Sequence, residues 1–462
     1  MNGYDFQRLR AHVPKQRQTT ARERIALLDA LYSEVWRRRE DLHAAMYADF
    51  RKPAEEVDLT EIFVLKSEIA YVKRRLKGWM RPKRVGGGLA MVGSSAWVRA
   101  ESKGVALILA PWNYPMQLLF RPLVSALAAG CTAMLKPSEL TPKTAQVLQE
   151  IVEAAFDPNV VQLVQGGADV AQALLAEPFN HVYFTGSPAV GRLVMAAAAQ
   201  HPCSVTLELG GKSPAIVDES ADLKVVARRL AWGKCVNAGQ ICVSPDYALV
   251  PTAQRDAFVN ALRDAMVAQY GPDPATAPDF QRIVNPRHAH RIAALIQDAV
   301  DRGARIAHGG ATDPDSAYIA PTILVDVPRD AAILTEEIFG PVLPVLTFSH
   351  EDEVIAEVES RPTPLALYLY STNRKRIRRL LNRLQSGGAA INQSVVHVGH
   401  RALPFGGHGN SGIGAGHGHY GFLEFTHQRG VYQQLLPSAA EALSPPYTPF
   451  KRKLINAVLR WL

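Results

Sequence analysis

The length and composition of the 462-residue chain indicate a soluble globular protein with two or three domains. Hydrophobic residues make up 47% and charged residues 20% of the chain, which excludes a disordered or fibrous protein. Lysine and arginine exceed aspartate and glutamate by 51 to 43, giving a net charge of +8. Because this excess is modest for the length, we interpret it as solvated helix faces and expect no nucleic-acid partner.

Cysteine usage and the N-terminal segment favour a cytoplasmic protein. The four cysteines, Cys131, Cys203, Cys235 and Cys242, are too few for a disulfide framework and form no CxxC or Cys/His metal pattern. The N-terminus has no apolar h-region, and no apolar run reaches the ~18 residues of a membrane span. We therefore expect neither export nor a transmembrane helix.

In chain order, a helical segment is followed by a hairpin and then by alternating strands and helices. Apolar residues recur at helical spacing from Thr20 to about Met80. The glycine-separated pieces of RVGGGLAMVGSSAWVRAESKG then predict a projecting hairpin. From Gly104, and again from Ser213 to about Asn392, short apolar strands alternate with helical stretches. This pattern predicts an α/β fold with two doubly wound, Rossmann-like parallel-sheet domains and a small β element.

Cys242 lies in WGKCVNAGQICVSPDY, after a helix-breaking Asn-Ala-Gly run and before a proline. A thiol at such a turn has its backbone N–H available to a substrate oxygen, and a lowered pKa would make the thiolate a strong nucleophile. Taken alone, a cysteine is more often a buried packing residue, and Cys131 and Cys203 keep that interpretation. Cys235 is interpreted as a helix-face packing residue, with oxidative pairing to Cys242 left open.

Seven motifs occur in the order shown by the aldehyde dehydrogenase superfamily. They are APWNYP around Asn113, LKPSE, FTGSPAVG, TLELGGKSP around Glu208, GQIC with Cys242, EEIFGPV and PFGGHGNSG. The match runs from about residue 20 to 430, and VTLELGGKSP, AWGK, APTIL and LALY resemble the class 3 branch. One such motif would be weak, but chance agreement of all of them is negligible.

The resemblance implies an NAD(P)-dependent enzyme that oxidises an aldehyde to the carboxylic acid. Cys242 would attack the aldehyde carbon, and the Asn113 amide and the Cys242 backbone N–H would stabilise the oxyanion as preorganised donors. After hydride transfer, Glu208 would activate the water that hydrolyses the thioester, which requires a carboxylate within reach of that water. The alternative interpretation of Glu208 is an exposed strand-end glutamate.

The cofactor site is expected where FTGSPAVG follows a strand and opens a helix, because a helix N-terminus suits a pyrophosphate. NAD is the first choice and NADP the second, since Glu139 would bond a free 2′-hydroxyl and Lys136 would tolerate negative charge. The residues that the resemblance implies for the cofactor are Gly186, Ser187 and Gly191 at the pyrophosphate, Lys136 and Glu139 at the adenosine ribose, Glu337 and Phe339 at the nicotinamide ribose and ring, and Trp112.

Three other patterns are rejected as binding sites. The GxGxxG match at 416–421 follows a glycine loop rather than a strand, and GGKS at 210–213 lacks the upstream glycine of a P-loop. Histidines such as His397 and His400 have no acidic or thiol partner at ligand spacing, so we interpret them as loop residues and expect no metal.

Tyr114 and Trp232 are expected to wall the substrate pocket and to suit an apolar aldehyde. Ile241, where the branch usually has threonine, and HVGH at 397–400 depart from the family pattern and bear on substrate size. Medium- to long-chain aliphatic or aromatic aldehydes are the class 3-like expectation. A CoA-acylating or phosphorylating semialdehyde dehydrogenase is the competing enzyme, and Glu208 argues against it. A catalytically silent protein would be expected to lose its catalytic residues.

The expected ranges are 1–81 and 103–207 for the NAD(P)-binding domain, 208–416 for the catalytic domain, 82–102 and 417–436 for an oligomerisation hairpin and strand, and 437–462 for an amphipathic tail. The hairpin and a strand near 422–432 are expected to pair in a homodimer interface, because exposed strand edges are usually paired or covered. The tail places Leu454, Ile455, Val458, Leu459 and Leu462 on one helical face beside basic residues. That face would either lie on an anionic membrane or pack on the protein's own body or its dimer partner.

Overall fold

The computed structural model describes residues 4–88, 91–438, 441 and 443–461. The helices, in chain order, are α1 (Phe6–Arg17), α2 (Ala21–Arg37), α3 (Arg39–Phe50), α4 (Ala54–Val57), α5 (Phe63–Trp79), α6 (Gln117–Ala129), α7 (Pro142–Ala155), α8 (Ala168–Leu175), α9 (Pro188–Ala198), α10 (Leu223–Cys235), α11 (Arg255–Tyr270), α12 (Pro286–Asp301), α13 (Ala332–Thr335), α14 (Glu351–Glu359), α15 (Arg374–Arg383), α16 (Gly418–Glu424) and α17 (Pro449–Trp461). The strands are β1 (Lys83–Val85), β2 (Ser94–Ser102), β3 (Val105–Leu109), β4 (Thr132–Lys136), β5 (Val161–Leu163), β6 (His181–Thr185), β7 (Ser204–Glu208), β8 (Pro214–Val217), β9 (Tyr247–Pro251), β10 (Arg305–His308), β11 (Thr312–Asp313), β12 (Tyr318–Ile319), β13 (Thr322–Val325), β14 (Val342–Phe348), β15 (Ala366–Tyr370), β16 (Gly388–Ile391), β17 (Gly412–Ile413) and β18 (Thr426–Gln434).

The first sheet has six strands in the order β17-β7-β6-β3-β4-β5, all parallel except β17. Its central strands are buried on both faces, which requires apolar residues at successive positions. In β3, Val105, Leu107 and Leu109 pack with α1, α8 and α9, whereas Ala106 and Ile108 pack with α2, α3, α5 and α6. Helix α1 comes before the helical segment that the sequence predicted. It covers one face of the first sheet, whereas α2, α3, α5 and α6 cover the other.

Strand β3 is the switch point of this sheet. From β3 the chain adds β4 and β5 on one side and then β6 and β7 on the other. In open α/β sheets, ligands bind in the crevice outside the carboxyl ends of the strands at such a point. Residues that follow β3, β4 and β6 are therefore placed around one crevice.

The second sheet has seven strands in the order β10-β13-β14-β9-β8-β15-β16 and is parallel except for the edge strand β10. Residues 209–213 connect β7 of the first sheet to β8 of this one. The predicted fold class, with two doubly wound parallel-sheet units, is confirmed.

Strands β1, β2 and β18 form a separate antiparallel sheet. Strand β18 pairs with β2 along its length, from Thr426 opposite Ser102 to Gln434 opposite Ser94, so the late strand does meet the early hairpin. The predicted start of that strand near Phe422 was wrong, because 418–424 forms helix α16. Two buried aromatics three positions apart, Phe422 and Phe425, favour a helix there, since strand side chains alternate between faces. Residues 89–90 of the expected hairpin lie outside the described residues.

The C-terminal helix α17 has an apolar face that is exposed. Leu454 and Val458 are each 42% exposed, and Leu459 is 70% exposed. Within the described residues, this face does not pack on the body of its own subunit, so an anionic membrane and the dimer partner remain as the alternatives for the tail. Leu462 lies outside the described residues. No described helix is both long enough and apolar enough to span a membrane.

Candidate active site

A cavity of about 340 Å³ lies beside the carboxyl ends of β6 and β7. Cys242, Glu208, Tyr114 and Trp232, all predicted from the sequence, line it. The rest of the wall is mainly apolar and comes from distant segments, including Leu59, Phe63, Val64, Leu118, Ile241, Val395, Val396, Val398 and Phe405. A mainly apolar cavity that contains a thiol and a carboxylate is a candidate active site on physical grounds.

Cys242 follows a turn of three consecutive residues with positive φ. These are Asn237 (55°), Ala238 (47°) and Gly239 (71°). Glycine is required at 239 because a Cβ atom there would stand 2.2 Å from the carbonyl oxygen of Gly340. The turn ends helix α10 and leaves Cys242 half-buried, with its thiol at the cavity. Backbone that is sterically fixed in this way holds the Cys242 thiol in one position.

Asn113 lies beside this turn, after the end of β3. Its side-chain nitrogen, Nδ2, donates a 3.0 Å hydrogen bond to the carbonyl oxygen of Gln240. The Asn237 amide in turn donates to the Asn113 carbonyl oxygen at 3.0 Å. Because an amide nitrogen carries two hydrogens, Asn113 keeps a second one beyond the bond to Gln240. The structure thus brings Asn113 next to the Cys242 loop.

Two acids from the N-terminal helices support both elements. Glu61 accepts the backbone N–H of Gln117 at 2.7 Å, at the start of α6, and Glu56 accepts that of Asn237 at 3.0 Å. Lys52 lies between them, with Nζ 3.5 Å from Glu61 and 4.0 Å from the centre of the Tyr114 ring. Burial raises the pKa of Glu61 to about 7, and the charge of Lys52 opposes that rise. Glu61 lies in a π-helical turn, a feature that is frequent at functional sites.

Glu208, the last residue of β7, is 4% exposed. One carboxylate oxygen, Oε1, accepts a hydrogen bond from the Tyr183 hydroxyl at 3.2 Å. The other, Oε2, has no hydrogen-bond partner among the described residues. Burial raises the pKa of Glu208 to about 8, and the Tyr183 hydrogen bond acts in the opposite direction. The alternative of an exposed strand-end glutamate is therefore wrong.

The protein by itself raises the pKa of the Cys242 thiol instead of lowering it. Burial is the largest cause, followed by the negative charges of Glu337 and then Glu208, while backbone N–H groups at 242 and 243 oppose the rise. The two carboxylates and the thiol are thus close enough to interact electrostatically. Positive charge brought to this site would favour the thiolate.

The segment that contains Glu337 and Phe339 is held from two sides. Arg291 donates to the carbonyl oxygens of Glu337 at 3.1 Å and of Ile338 at 2.6 Å. Lys212, in the connection between the two sheets, donates to the carbonyl oxygen of Glu336 at 2.8 Å. These bonds fix the segment beside the crevice.

Trp112 and Phe339 meet across the two units. Their ring centres are 5.4 Å apart at an interplanar angle of 80°, an edge-to-face contact. Trp112 follows β3 of the first sheet, whereas Phe339 precedes β14 of the second. The structure therefore brings Trp112 and Phe339 together.

Glu337 lies two residues before Phe339. Burial raises the pKa of Glu337 to about 8, and the hydrogen bond from the backbone N–H of Gly211 is the main effect that opposes this rise.

The remaining predicted cofactor residues lie at the carboxyl ends of β4 and β6. Ser187 caps α9, with its hydroxyl accepting the Val190 N–H at 3.3 Å, and this helix end is exposed. Gly191 lets α9 pack closely on Leu209, since a Cβ atom would stand 2.7 Å from that side chain.

At position 186, a Cβ atom would lie 2.4 Å from the Phe184 ring, so Gly186 keeps the backbone close to that ring. Lys136 and Glu139 form an ion pair of 3.1 Å. An open helix N-terminus flanked by small residues, at the switch point of a parallel sheet, fits a dinucleotide.

The polar residues of the cavity wall that sequence reasoning did not identify include Arg121, Tyr183 and His417. A signal existed for two of them, because Arg121 interrupts the apolar helix QLLFRPLVSALAA and Tyr183 brings a hydroxyl into the apolar strand HVYFT. Nothing in the pattern distinguished Leu59 and Phe63 as cavity residues, since they lie more than 100 positions before Glu208 and Cys242.

Comparison with known proteins agrees with this geometry. The model described as the aldehyde dehydrogenase family matches residues 6–431. The chain is 43% identical to the 4,4'-diaponeurosporen-aldehyde dehydrogenase of Staphylococcus aureus (strain NCTC 8325 / PS 47), over 91% of this chain and 91% of that protein. It is 41% identical to aldehyde dehydrogenase family 3 member A2 of Rattus norvegicus, over 92% and 86% of the two chains.

Solved structures show the same architecture. The substrate-bound state of Staphylococcus aureus AldH superposes with a TM-score of 0.93 at 41% identity, covering 98% of each chain. The NAD⁺ complex of an aldehyde dehydrogenase from Bacillus cereus gives a TM-score of 0.82 at 29% identity, covering 93% of this chain and 88% of that one. The chain therefore belongs to the aldehyde dehydrogenase family and is an NAD(P)-dependent oxidoreductase that converts aldehydes to acids.

Proposed function

We propose that the chain oxidises an apolar aldehyde through a thioester on Cys242, which water activated by Glu208 then hydrolyses. The observation that carries this proposal is the shared cavity, which places the Cys242 thiol and the buried Glu208 carboxylate in one mainly apolar space. Because Glu208 Oε2 has no partner among the described residues, the ionised form of Glu208 can accept a proton from water there.

The steps balance with the residues present and an oxidised nicotinamide cofactor as the hydride acceptor. The Cys242 thiolate attacks the aldehyde carbon, a C–S bond forms, and the oxyanion accepts hydrogen bonds from Asn113 Nδ2 and the Cys242 N–H. A bound oxidised nicotinamide would favour the thiolate by its positive charge and would accept the hydride as the C–H bond breaks and the carbonyl re-forms. Water then attacks the thioester carbon, its proton passes to Glu208, and the C–S bond breaks to restore the thiolate. The products are the acid, the reduced cofactor and a proton.

The wall chemistry favours a hydrophobic substrate, and we propose medium- to long-chain aliphatic or aromatic aldehydes. Leu59 and Phe63 line the cavity and are 67% and 55% exposed, so apolar surface continues to its mouth. A chain longer than the cavity would keep apolar contact there. The Staphylococcus aureus relative, named for 4,4'-diaponeurosporen-aldehyde, is consistent with this class.

Water is proposed as the acceptor of the acyl group, in preference to coenzyme A or phosphate. Glu208 supports this choice, because a buried carboxylate with one open oxygen is a suitable base for water. Phosphate is already anionic at neutral pH and would need no such base on the enzyme.

The experiment compares Cys242→Ala and Glu208→Gln with the parent enzyme. Cys242→Ala should abolish NADH formation while NAD still binds, and appreciable turnover would exclude Cys242 as the nucleophile. Glu208→Gln should form NADH in the first turnover and then accumulate an acyl-enzyme, detected by intact mass. Parent-rate deacylation would exclude Glu208 as the base.

A chain-length and aromatic aldehyde panel with NAD and NADP tests the substrate class and the cofactor choice.

Two assembly proposals accompany this function. We propose a homodimer through the small sheet, because β18 is an edge strand that carries Tyr432 at 54% exposure and is followed by the exposed Leu435 and Leu436. We also propose that α17 lies on an anionic membrane surface, since its apolar face is exposed and Lys451, Arg452 and Lys453 supply positive charge. Such a position would bring the enzyme to lipid-derived aldehydes, and packing on the dimer partner is the alternative.

A further inference from the structure

We propose that Tyr183 is a positioning residue for Glu208 in thioester hydrolysis, an inference that rests on the proposed role of Glu208 as the base. Strands β6 and β7 are adjacent and parallel, with Thr185 opposite Glu208 and Tyr183 opposite Thr206. Side chains two positions apart on a strand share one face of the sheet. Tyr183 and Glu208 are therefore diagonal neighbours on the face that borders the cavity.

The hydroxyl of Tyr183 hydrogen-bonds to only one of the two carboxylate oxygens of Glu208. It donates to Oε1 of Glu208 at 3.2 Å and leaves Oε2 without a partner among the described residues. A carboxylate that is held at one oxygen has its rotation about the last side-chain bond restricted, so the second oxygen keeps one direction. A general base must hold such a direction toward the water that it deprotonates.

Tyr183 is itself fixed by its surroundings. It is 5% exposed, and its ring stacks on Phe425 with centres 5.8 Å apart and planes 9° apart. On the other side, a Cβ atom at Gly416 would lie 2.6 Å from the Tyr183 hydroxyl oxygen. The hydroxyl therefore has little room to move away from Glu208.

Several other groups act on Glu208 without replacing this bond. The nearby titratable groups are Arg121 of α6, Glu424 of α16, Cys242, His417 and Tyr183 itself. Arg121 is itself paired with Glu68 at 3.5 Å. The Gly416 N–H also lowers the pKa of Glu208, but its own hydrogen bond, of 2.6 Å, is to the Phe405 carbonyl oxygen. The hydroxyl favours the charged form of Glu208, since a hydrogen bond to a carboxylate stabilises the anion.

Tyr183→Phe tests the proposal because it removes the hydroxyl and keeps the stacked ring. We expect the first-turnover burst of NADH to stay within about twofold of the parent rate, since acylation uses Cys242. Hydrolysis of the acyl-enzyme at pH 7 should be about five- to tenfold slower, and its acidic limb should move up by about half to one pH unit. Stopped-flow absorbance measures the burst, and intact mass measures the acyl-enzyme against time and pH.

Two further variants separate positioning from a general packing effect. In Tyr183→Phe combined with Glu208→Gln, hydrolysis should be no slower than in Glu208→Gln alone, because Tyr183 acts only through Glu208. Tyr370→Phe is the matched control: it removes another buried hydroxyl, which bonds Ser394 in the second sheet unit, and should deacylate like the parent.

The outcomes distinguish failure of the proposed base, Glu208, from failure of the positioning role of Tyr183. If Glu208→Gln hydrolyses the acyl-enzyme at the parent rate, the proposed base is wrong. If Glu208→Gln is slow but Tyr183→Phe keeps the parent rate and pH profile, only the positioning role of Tyr183 is overturned. An additive loss in the double variant would also overturn it, because it would show that the tyrosine acts by another route.

Discussion

The carboxylate of Glu337 lies against the backbone of Gly210, so closely that a Cβ atom at position 210 would stand 2.1 Å from its Oε2. Gly210 has an ordinary backbone conformation, and the clashing atoms belong to the end of a flexible side chain. Gly210→Ala should therefore fold normally while forcing Glu337 out of its position. If Glu337 holds the nicotinamide ribose, the KM for NAD should rise about tenfold, equivalent to the loss of one hydrogen bond.

Steady-state kinetics and a direct NAD titration measure this effect. Gly78→Ala is the control, because a Cβ atom at that helix position meets nothing within 4 Å. Its melting temperature and KM should match the parent within ~2 °C and twofold respectively. Parent-like NAD affinity in Gly210→Ala would argue against the assigned role of Glu337.

The reactivity of Cys242 should depend on the two carboxylates near it. Burial raises the pKa of the thiol, and so do the negative charges of Glu337 and Glu208, of which Glu337 has the larger effect. Removing a negative charge stabilises the thiolate, so the inflection of the alkylation rate against pH should move to lower pH. We expect a shift of about half a unit or more in Glu337→Gln and a smaller one in Glu208→Gln.

Iodoacetamide labelling followed by peptide mass spectrometry reports Cys242 separately from the other thiols. Glu336→Gln is the matched control, because its carboxylate is 59% exposed and screened by solvent, and it should leave the inflection in place. The electrostatic account fails if Glu337→Gln gives the parent curve.

The small sheet should carry the dimer. Tyr432→Glu puts a charge on the exposed face of β18, where an interface would be desolvated, and should raise the monomer fraction at micromolar concentration. Ile306→Glu makes the same kind of change on β10, in the other sheet, and should leave the assembly unchanged. Sedimentation velocity measures both. An active parent enzyme that sediments as a monomer would contradict the interface.

The tail helix should confer binding to anionic vesicles. A truncation ending at Ser444 removes α17 and should stay in the supernatant when the full chain pellets with anionic liposomes at low salt. High salt should release part of the full chain, because apolar and electrostatic contacts both contribute. Neutral liposomes are the control for charge. If the full chain and the truncation both remain soluble with anionic liposomes, the membrane proposal is wrong and packing on the dimer partner becomes the explanation.

Local sequence was sufficient to predict the family and the fold class. Cys242 and Glu208 each lie in a short contiguous motif whose residue types suit the proposed reaction. The strands are recognisable as short apolar runs, because both faces of a parallel sheet are buried. Local periodicity was insufficient at 418–424, because this glycine-rich run does not show a helical pattern. The helix there is stabilised by Phe422, which packs into the core between the first sheet and its helices.

The tertiary structure alone decided which residues surround the reacting atoms. Leu59 and Phe63 reach the cavity from the N-terminal helices, and Tyr183 reaches Glu208 across two paired strands. The protonation states were equally hidden, because the raised pKa values of Glu208 and Glu337 arise mainly from burial. Burial and diagonal contacts depend on the packing of segments that are far apart in the chain, whereas a motif reports only its own neighbours.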